Sequence, residues 1–122
     1  MKCVLVNEQP TFFKTIEDKE TGLIATIKAK TRADEAELEE RAMKWRVIDG
    51  KLQPSQNYTK YLIIRIRQAL SGHDKCGWNI DKHKPTEDVI ERLPDEIFSA
   101  LANAIIEHDN RWDKNKDKNL KN

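Results

Sequence analysis

The stretch LIATIKAKTRADEAELEERA, residues 23–42, changes its hydrophobic period near its middle. In residues 23–30 one apolar face alternates with a more polar one, which is the period-2 pattern of a strand. From Thr31 the period becomes helical: Asp34 follows three residues later, as in a capping box. A stripe then runs through Leu38, Ala42 and Trp45. The stretch therefore predicts a strand that leads directly into an amphipathic helix, in a chain of the α+β class.

The residues before residue 23 are also rich in β-forming side chains. KCVLV (2–6) and TFFKTI (11–16) are short apolar runs, and the polar EDKETG (17–22) offers Gly22 for a turn that needs a positive φ. We predict a small antiparallel sheet within 1–30, most simply a hairpin that pairs 11–17 with 23–29.

About four helices are predicted between residues 31 and 110. The first should end near Val47, since DGKLQP (49–54) has the chemistry of a turn. The next segment, 58–70, is open: its Ile-Arg-Ile-Arg run alternates like a strand, whereas its wider apolar spacing, with Asn57 or Ser55 as a cap, fits a helix. Its length favours the helix.

Two further helices are marked by their first turns. Thr86 opens a short one that reaches Leu93, and Pro94 ends it and begins the last helix, where a missing N–H costs nothing. Ile97, Leu101 and Ile105 fall on one stripe of that last helix, which should run to about Asp109.

Length and composition set the remaining bounds. A chain of 122 residues is one domain by length, which we place at 1–112, and the Lys/Asn-rich 113–122 is predicted to be a disordered tail. The formal charge is +1, so no global field attracts nucleic acid or anionic lipid. No apolar run is long enough to cross a bilayer. These features favour a cytoplasmic protein with reduced thiols.

The loop between the second and third helices holds the residues most suited to chemistry. His73, Cys76 and His83, completed by Asp74 or Asp81, would be a metal set with unusual spacing, and Cys76 with a nearby His would be a thiol nucleophile. Neither has the paired spacing or orienting group that such sites need. The chain also lacks a glycine-rich phosphate loop. We therefore predict no enzyme, no metal and no cofactor, and interpret the loop as a polar turn that seats Trp78 between helices.

Basic residues near this loop support a competing hypothesis. If the fold gathers them on one face, they would bind phosphate in a small nucleic-acid-binding module. The alternative is a solvated helix face whose Arg side chains cover apolar surface. The residues of this patch are Lys60, Arg65, Arg67, Lys75 and Lys84.

The C-terminal half resembles the small tail assembly chaperones of long-tailed bacteriophages and their prophages. The resemblance covers roughly residues 60–110. It rests on the turn Trp78-Asn79, the short helix 86–93, the phrase Leu93-Pro94-Asp95-Glu96 and the amphipathic run 97–106, with RAMKWRV (41–47) as a basic, Trp-containing end of the first helix.

The resemblance implies a role without catalysis. Such chaperones bind the long, helical tape measure protein, help recruit tail tube subunits around it and are not retained in the virion. The implied partners are thus the tape measure and tail tube proteins, in the cytoplasm of a bacterial host, while the oligomeric state stays open, a homo-oligomer included. The apolar residues we assign to partner binding are Trp78, Phe98, Ile106 and Trp112.

Overall fold

A computed structural model describes the backbone of residues 11–80 and 84–121, and their side chains except those of 44–46, 54–56 and 114–121. The elements in chain order are β1 (Phe13–Asp18), β2 (Leu23–Lys28), α1 (Arg32–Ala42), β3 (Met43–Ile48), β4 (Lys51–Gln56), α2 (Tyr58–Ser71), β5 (Gly77–Trp78), α3 (Glu87–Glu91) and α4 (Asp95–Lys121). The predicted α+β class, an N-terminal antiparallel hairpin followed by four helices, is confirmed. The short strand predicted at 2–6 lies outside the described residues.

The predicted N-terminal hairpin is confirmed, and its strands are Phe13–Asp18 and Leu23–Lys28. β1 and β2 are antiparallel with Phe13 opposite Lys28, and Gly22 takes a φ of +74° in the turn. β5 adds to the other side of β2, with Trp78 opposite Ala25, so the order of this sheet is β1-β2-β5. The apolar face predicted for residues 23–30 is the one that the core buries.

The main core lies between β2 and the helices. Side chains from β2, α2, α3 and α4 form one apolar cluster, and it includes the predicted stripe of α4, in which Leu101 and Ile105 are fully buried. The buried members are Leu23, Ala25, Ile27, Ile66, Ala69, Leu70, Ile90, Leu101, Ala102 and Ile105. A smaller cluster joins Leu38 and Ala42 of α1 to Ile64 of α2.

The helix starts follow the local capping signals. Thr31 and Asp34 form the predicted capping box of α1, and Asn57 caps α2, which settles 58–70 as a helix. Thr86 caps the short α3 by accepting a hydrogen bond from the N–H of Val89.

Two predicted helix ends are wrong. α1 ends at Ala42 and not near Val47, because residues 43–48 instead form β3, which pairs with β4 across the turn Asp49-Gly50. The end predicted at Asp109 is also wrong, since α4 continues to Lys121. Neither Gly nor Pro interrupts residues 95–121, so nothing local stops that helix.

Candidate functional site

The predicted phosphate patch is not assembled, because Arg65 belongs to the interior. Its side chain is only 1% exposed and forms a bidentate ion pair with Asp109 of α4, with Nε 2.7 Å from Oδ2 and Nη2 2.8 Å from Oδ1. Nη2 also donates to the carbonyl oxygen of Lys28 at 2.9 Å, and Asp109 Oδ1 accepts the N–H of Lys30 at 3.1 Å. One buried pair therefore ties β2, α2 and α4 together, and Arg65 cannot reach a phosphate.

Arg67 is also engaged inside the protein, in a network that joins α1, α2 and α3. Its Nη2 lies 2.5 Å from Glu37 Oε1, and its Nε is 3.1 Å from Glu87 Oε2. Arg41 makes a bidentate contact with Glu87, each N–O distance being 2.8 Å, and its Nη1 is 3.3 Å from Oε2 of Glu37, four residues earlier on α1. These four side chains, two cations and two anions, neutralise one another.

The electrostatics of this network stabilise its charged forms. The pKa of Glu37 is lowered, first by the hydrogen bond from Gln68 and then by Arg67 and Arg41, against an opposing effect of burial. The pKa of Glu87 is lowered first by the hydrogen bonds from Arg41, and the pKa of Arg41 is raised by the same pair. The network therefore acts as a joint between helices.

The three lysines of the patch are less buried than Arg65. Lys75 is exposed and places its Nζ 5.3 Å from the centre of the Phe13 ring. Lys60 lies half-buried in the first turn of α2, and Lys84 is exposed ahead of α3. Because Arg65 and Arg67 are committed to ion pairs, the nucleic-acid hypothesis keeps only the three lysines.

The loop that held the candidate metal and thiol residues is only partly described, since Asp81 and His83 lie outside the described residues. Within 11–80 and 84–121, no three His, Cys, Asp or Glu side chains are grouped so that they could hold a metal ion. Burial raises the pKa of the Cys76 thiol, which is the opposite of what a thiolate nucleophile requires. His73 packs on Phe13 with 4.7 Å between ring centres and accepts the N–H of Lys75 at Nδ1.

The predicted partner-binding residues are divided between core and surface. Trp78 and Phe98 are partly buried and pack against the main core, and Trp78 belongs to a strand and not to the turn we expected. Trp112 is also partly buried, with its ring edge-to-face on Phe12 at 5.5 Å, so it is not the exposed anchor we predicted. Ile106 lines a groove of about 460 Å³ between α2 and α4, beside the exposed Tyr58.

The most exposed apolar side chains lie where the sequence analysis placed the end of a helix and a turn. Val47 and Leu52 are cross-strand partners in the β3–β4 hairpin and are 72% and 64% exposed, and Ile48 beside the turn is 45% exposed. The missed signal is Asp49-Gly50 between apolar residues, the strongest local mark of a hairpin. Both turn residues take positive φ, +52° and +76°, as a two-residue hairpin loop requires.

Comparisons with protein-family models, with curated proteins and with solved structures each returned no match. No helix within the described ranges combines the length and the apolar composition that crossing a bilayer requires.

Proposed function

We propose that this chain is a tail assembly chaperone of a long-tailed bacteriophage or prophage, acting in the cytoplasm of the bacterial host. In this role it binds the tape measure protein, helps recruit tail tube subunits and is absent from the finished virion. It works by binding and carries out no reaction.

The partner named in this proposal comes from the resemblance of residues 60–110, and the fold of that region supports it. Asn79 follows β5 and joins it to the start of β2: its side chain accepts the N–H of Ile24 at 2.9 Å and donates to the carbonyl of Gly22 at 3.0 Å. Pro94 separates α3 from α4, and its carbonyl accepts the N–H of Phe98 at 3.0 Å. The motifs Trp78-Asn79 and Leu93-Pro94 thus lie at connections between secondary-structure elements of this region.

The observation that carries the binding role is the exposed apolar pair Val47–Leu52. Exposed apolar side chains that sit together at a projecting turn are typical of surfaces that bind other proteins. The alternative phosphate patch loses both of its arginines, since Arg65 is paired with Asp109, and Arg67 is paired with Glu37 and Glu87.

The test is co-expression with the long helical protein encoded near this gene, followed by purification through a tag on that protein. We expect this chain to co-purify and to stay bound at moderate salt, because apolar burial is little affected by ionic screening. A double variant, Val47→Asp with Leu52→Asp, should lose the partner. Ile24→Asp is the matched control, since Ile24 is also an exposed apolar strand residue, at 47%, but lies in the other sheet.

Two results would contradict the proposal. One is a gene neighbourhood without any long helical reading frame. The other is affinity for DNA or RNA that falls steeply with salt, which is the behaviour of a phosphate-binding module.

A further inference from the structure

The β3–β4 hairpin leaves its outer edges unused. Within the described part of the chain no further strand pairs with either β3 or β4, and residues 47–53 are all exposed. A two-stranded ribbon is marginally stable alone in water and gains from a third strand. Two edges are candidates for a third strand, the outer edge of β3 and the outer edge of β4.

The hydrogen-bond phase of the hairpin shows which backbone groups point outward. The N–H of Asn57 donates to the carbonyl of Ala42 at 2.8 Å, and this pair continues the register in which Met43 is opposite Gln56. Hydrogen-bonded and non-bonded pairs alternate along an antiparallel ribbon. The even positions of β3 therefore bond inward to β4. The outward N–H and C=O groups of β3 are those of Met43, Trp45 and Val47.

The same phase shows that the edge of β4 is interrupted. Its outward positions are 52, 54 and 56, and position 54 is Pro, which has no N–H to donate. A proline on an edge strand is a common block against strand addition. The outer edge of β3 has no such block, so a third strand would be added there.

Charge decides what kind of strand fits this edge. The sequence has Lys at 44 and Arg at 46, the inward-bonded positions between the outward ones, and Lys51 lies opposite Ile48. A second copy of β3, paired antiparallel through its own outward groups, would place even positions opposite even positions. Lys44 and Arg46 would then face cations in the other copy, and like charges directly opposite one another destabilise a sheet.

We propose that the outer edge of β3 binds an extended segment of a partner protein in which acidic and apolar residues alternate, as a third strand of the ribbon. The main chain of that segment bonds to the outward groups of Met43, Trp45 and Val47. Its acidic residues take the register positions opposite residues 44 and 46, which are Lys and Arg in the sequence, and its apolar residues lie beside Val47. Recognition of this kind takes affinity from main-chain bonds and specificity from alternate side chains.

The first test uses a synthetic peptide, acetyl-Ser-Glu-Val-Glu-Val-Glu-Val-Ser-amide, with the full chain. We expect binding that weakens as salt increases, and slower hydrogen exchange at the amides of Trp45 and Val47 but not at that of Leu52. The peptide with Lys in place of Glu should not bind. Failure of the acidic peptide to bind, or equal protection of both edges, would overturn the proposal.

The second test compares two proline substitutions in the same cross-strand pair. Val47→Pro removes an outward N–H from β3, whereas Leu52→Pro removes one from β4, and both side chains are exposed. We expect Val47→Pro to weaken the peptide about tenfold or more and Leu52→Pro to change it by less than about twofold. Equal losses in both variants would mean that the partner lies on the face of the hairpin, against the proposal.

A charge reversal keeps the backbone intact and guards against loss of the hairpin in the proline variants. Lys44→Glu with Arg46→Glu should switch the preference from the acidic peptide to the Lys peptide. A reversed chain that still prefers the acidic peptide, or an unmodified chain that dimerises through β3, would overturn the proposal. None of these assays requires a tape measure protein, so they can fail while the proposed function holds, and the reverse is equally true.

Discussion

The α2–α4 junction and the β3–β4 hairpin use charged and apolar residues in opposite ways. At the junction, Arg65 and Asp109 are withdrawn from water and bond to each other and to nearby backbone groups, while Nη1 of Arg65 is buried without a hydrogen-bond partner. At the hairpin, the apolar side chains of Val47 and Leu52 are exposed to water and not packed into the core. The charge of Arg65, which the sequence suggested for phosphate binding, therefore stabilises the fold. The side chains exposed for binding a partner are the apolar Val47 and Leu52.

The largest expected effect comes from making the same change in both regions. Leu101→Asp puts a carboxylate into the main core without a partner and should cost more than about 4 kcal/mol, enough to unfold the domain. Leu52→Asp changes an exposed side chain and should alter stability by less than about 0.5 kcal/mol. Thermal denaturation followed by circular dichroism measures both. A folded Leu101→Asp variant, or an unfolded Leu52→Asp variant, would contradict the division between core and hairpin.

Next in size is the loss of one partner from the buried ion pair. Asp109→Ala leaves Arg65 charged, buried and without its carboxylate, and should cost about 3–5 kcal/mol. Glu107→Ala, an exposed change on the same helix, is the control and should be nearly neutral. Urea denaturation gives both free energies.

The double variant Arg65→Met with Asp109→Leu sharpens this test, because it removes both charges and replaces them with apolar groups of similar size. We expect it to recover much of the stability that Asp109→Ala loses. If the single and double variants are equally unstable, packing at this junction matters more than the charges.

A smaller effect should appear as a dependence of stability on pH. The folded pKa values of Glu37 and Glu87 lie below the ordinary 4.5, so their contribution is complete above that value and is lost as pH falls through the folded pKa values. The double variant Glu37→Gln with Glu87→Gln should therefore melt below the unmodified protein at neutral pH. The difference should shrink as the pH falls below 4.5 and through the lowered pKa values of the folded state. A gap in melting temperature that is constant with pH would show that the pairs do not contribute through charge.

The smallest effect concerns the turn of the hairpin. Gly50→Ala places a side chain at a φ of +76°, where space is open but the conformation costs about 1–2 kcal/mol. The amide of Ile48 should exchange about 5–30-fold faster while the melting temperature of the domain stays the same. Gly77→Ala is the control, since its surroundings are also open and its φ is not positive. Unchanged exchange at Ile48 would mean that the turn does not limit the opening of the hairpin.

The wrong end predicted for α1 comes from one local conflict. Residues 43–48 continue the polar, helix-compatible pattern of α1 up to Trp45, but Val47 and Ile48 before Asp49-Gly50 also suit a strand. Nothing within that segment weighs one choice against the other. The pairing of 43–48 with 51–56 decides for the strand, although each of the two segments alone has only a weak strand pattern.

The candidate site was predictable only in part for a related reason. In the sequence, Arg65 has the same charge and the same helical spacing as a basic residue on a solvated helix face. Its partner Asp109 is 44 residues away. Lys84 and Lys75 gave the same local signal and are exposed. A count of basic residues therefore cannot separate an arginine that holds the fold from a lysine that faces water.

The sequence by itself determined the α+β class, the buried face of β2, the caps at Thr31 and Thr86 and the buried stripe of α4, because each depends on residues within one or two turns of one another. It left the cap of α2 open between Asn57 and Ser55, and the structure assigns it to Asn57. Only the tertiary structure decided which cations are buried and which apolar pair is left exposed. The burial of Arg65 depends on Asp109, 44 residues away, and the free energy of such pairing is set by geometry that no short window of sequence contains. The end of α1 lies between these cases, because Asp49-Gly50 marks the hairpin locally but pairing with 51–56 completes it.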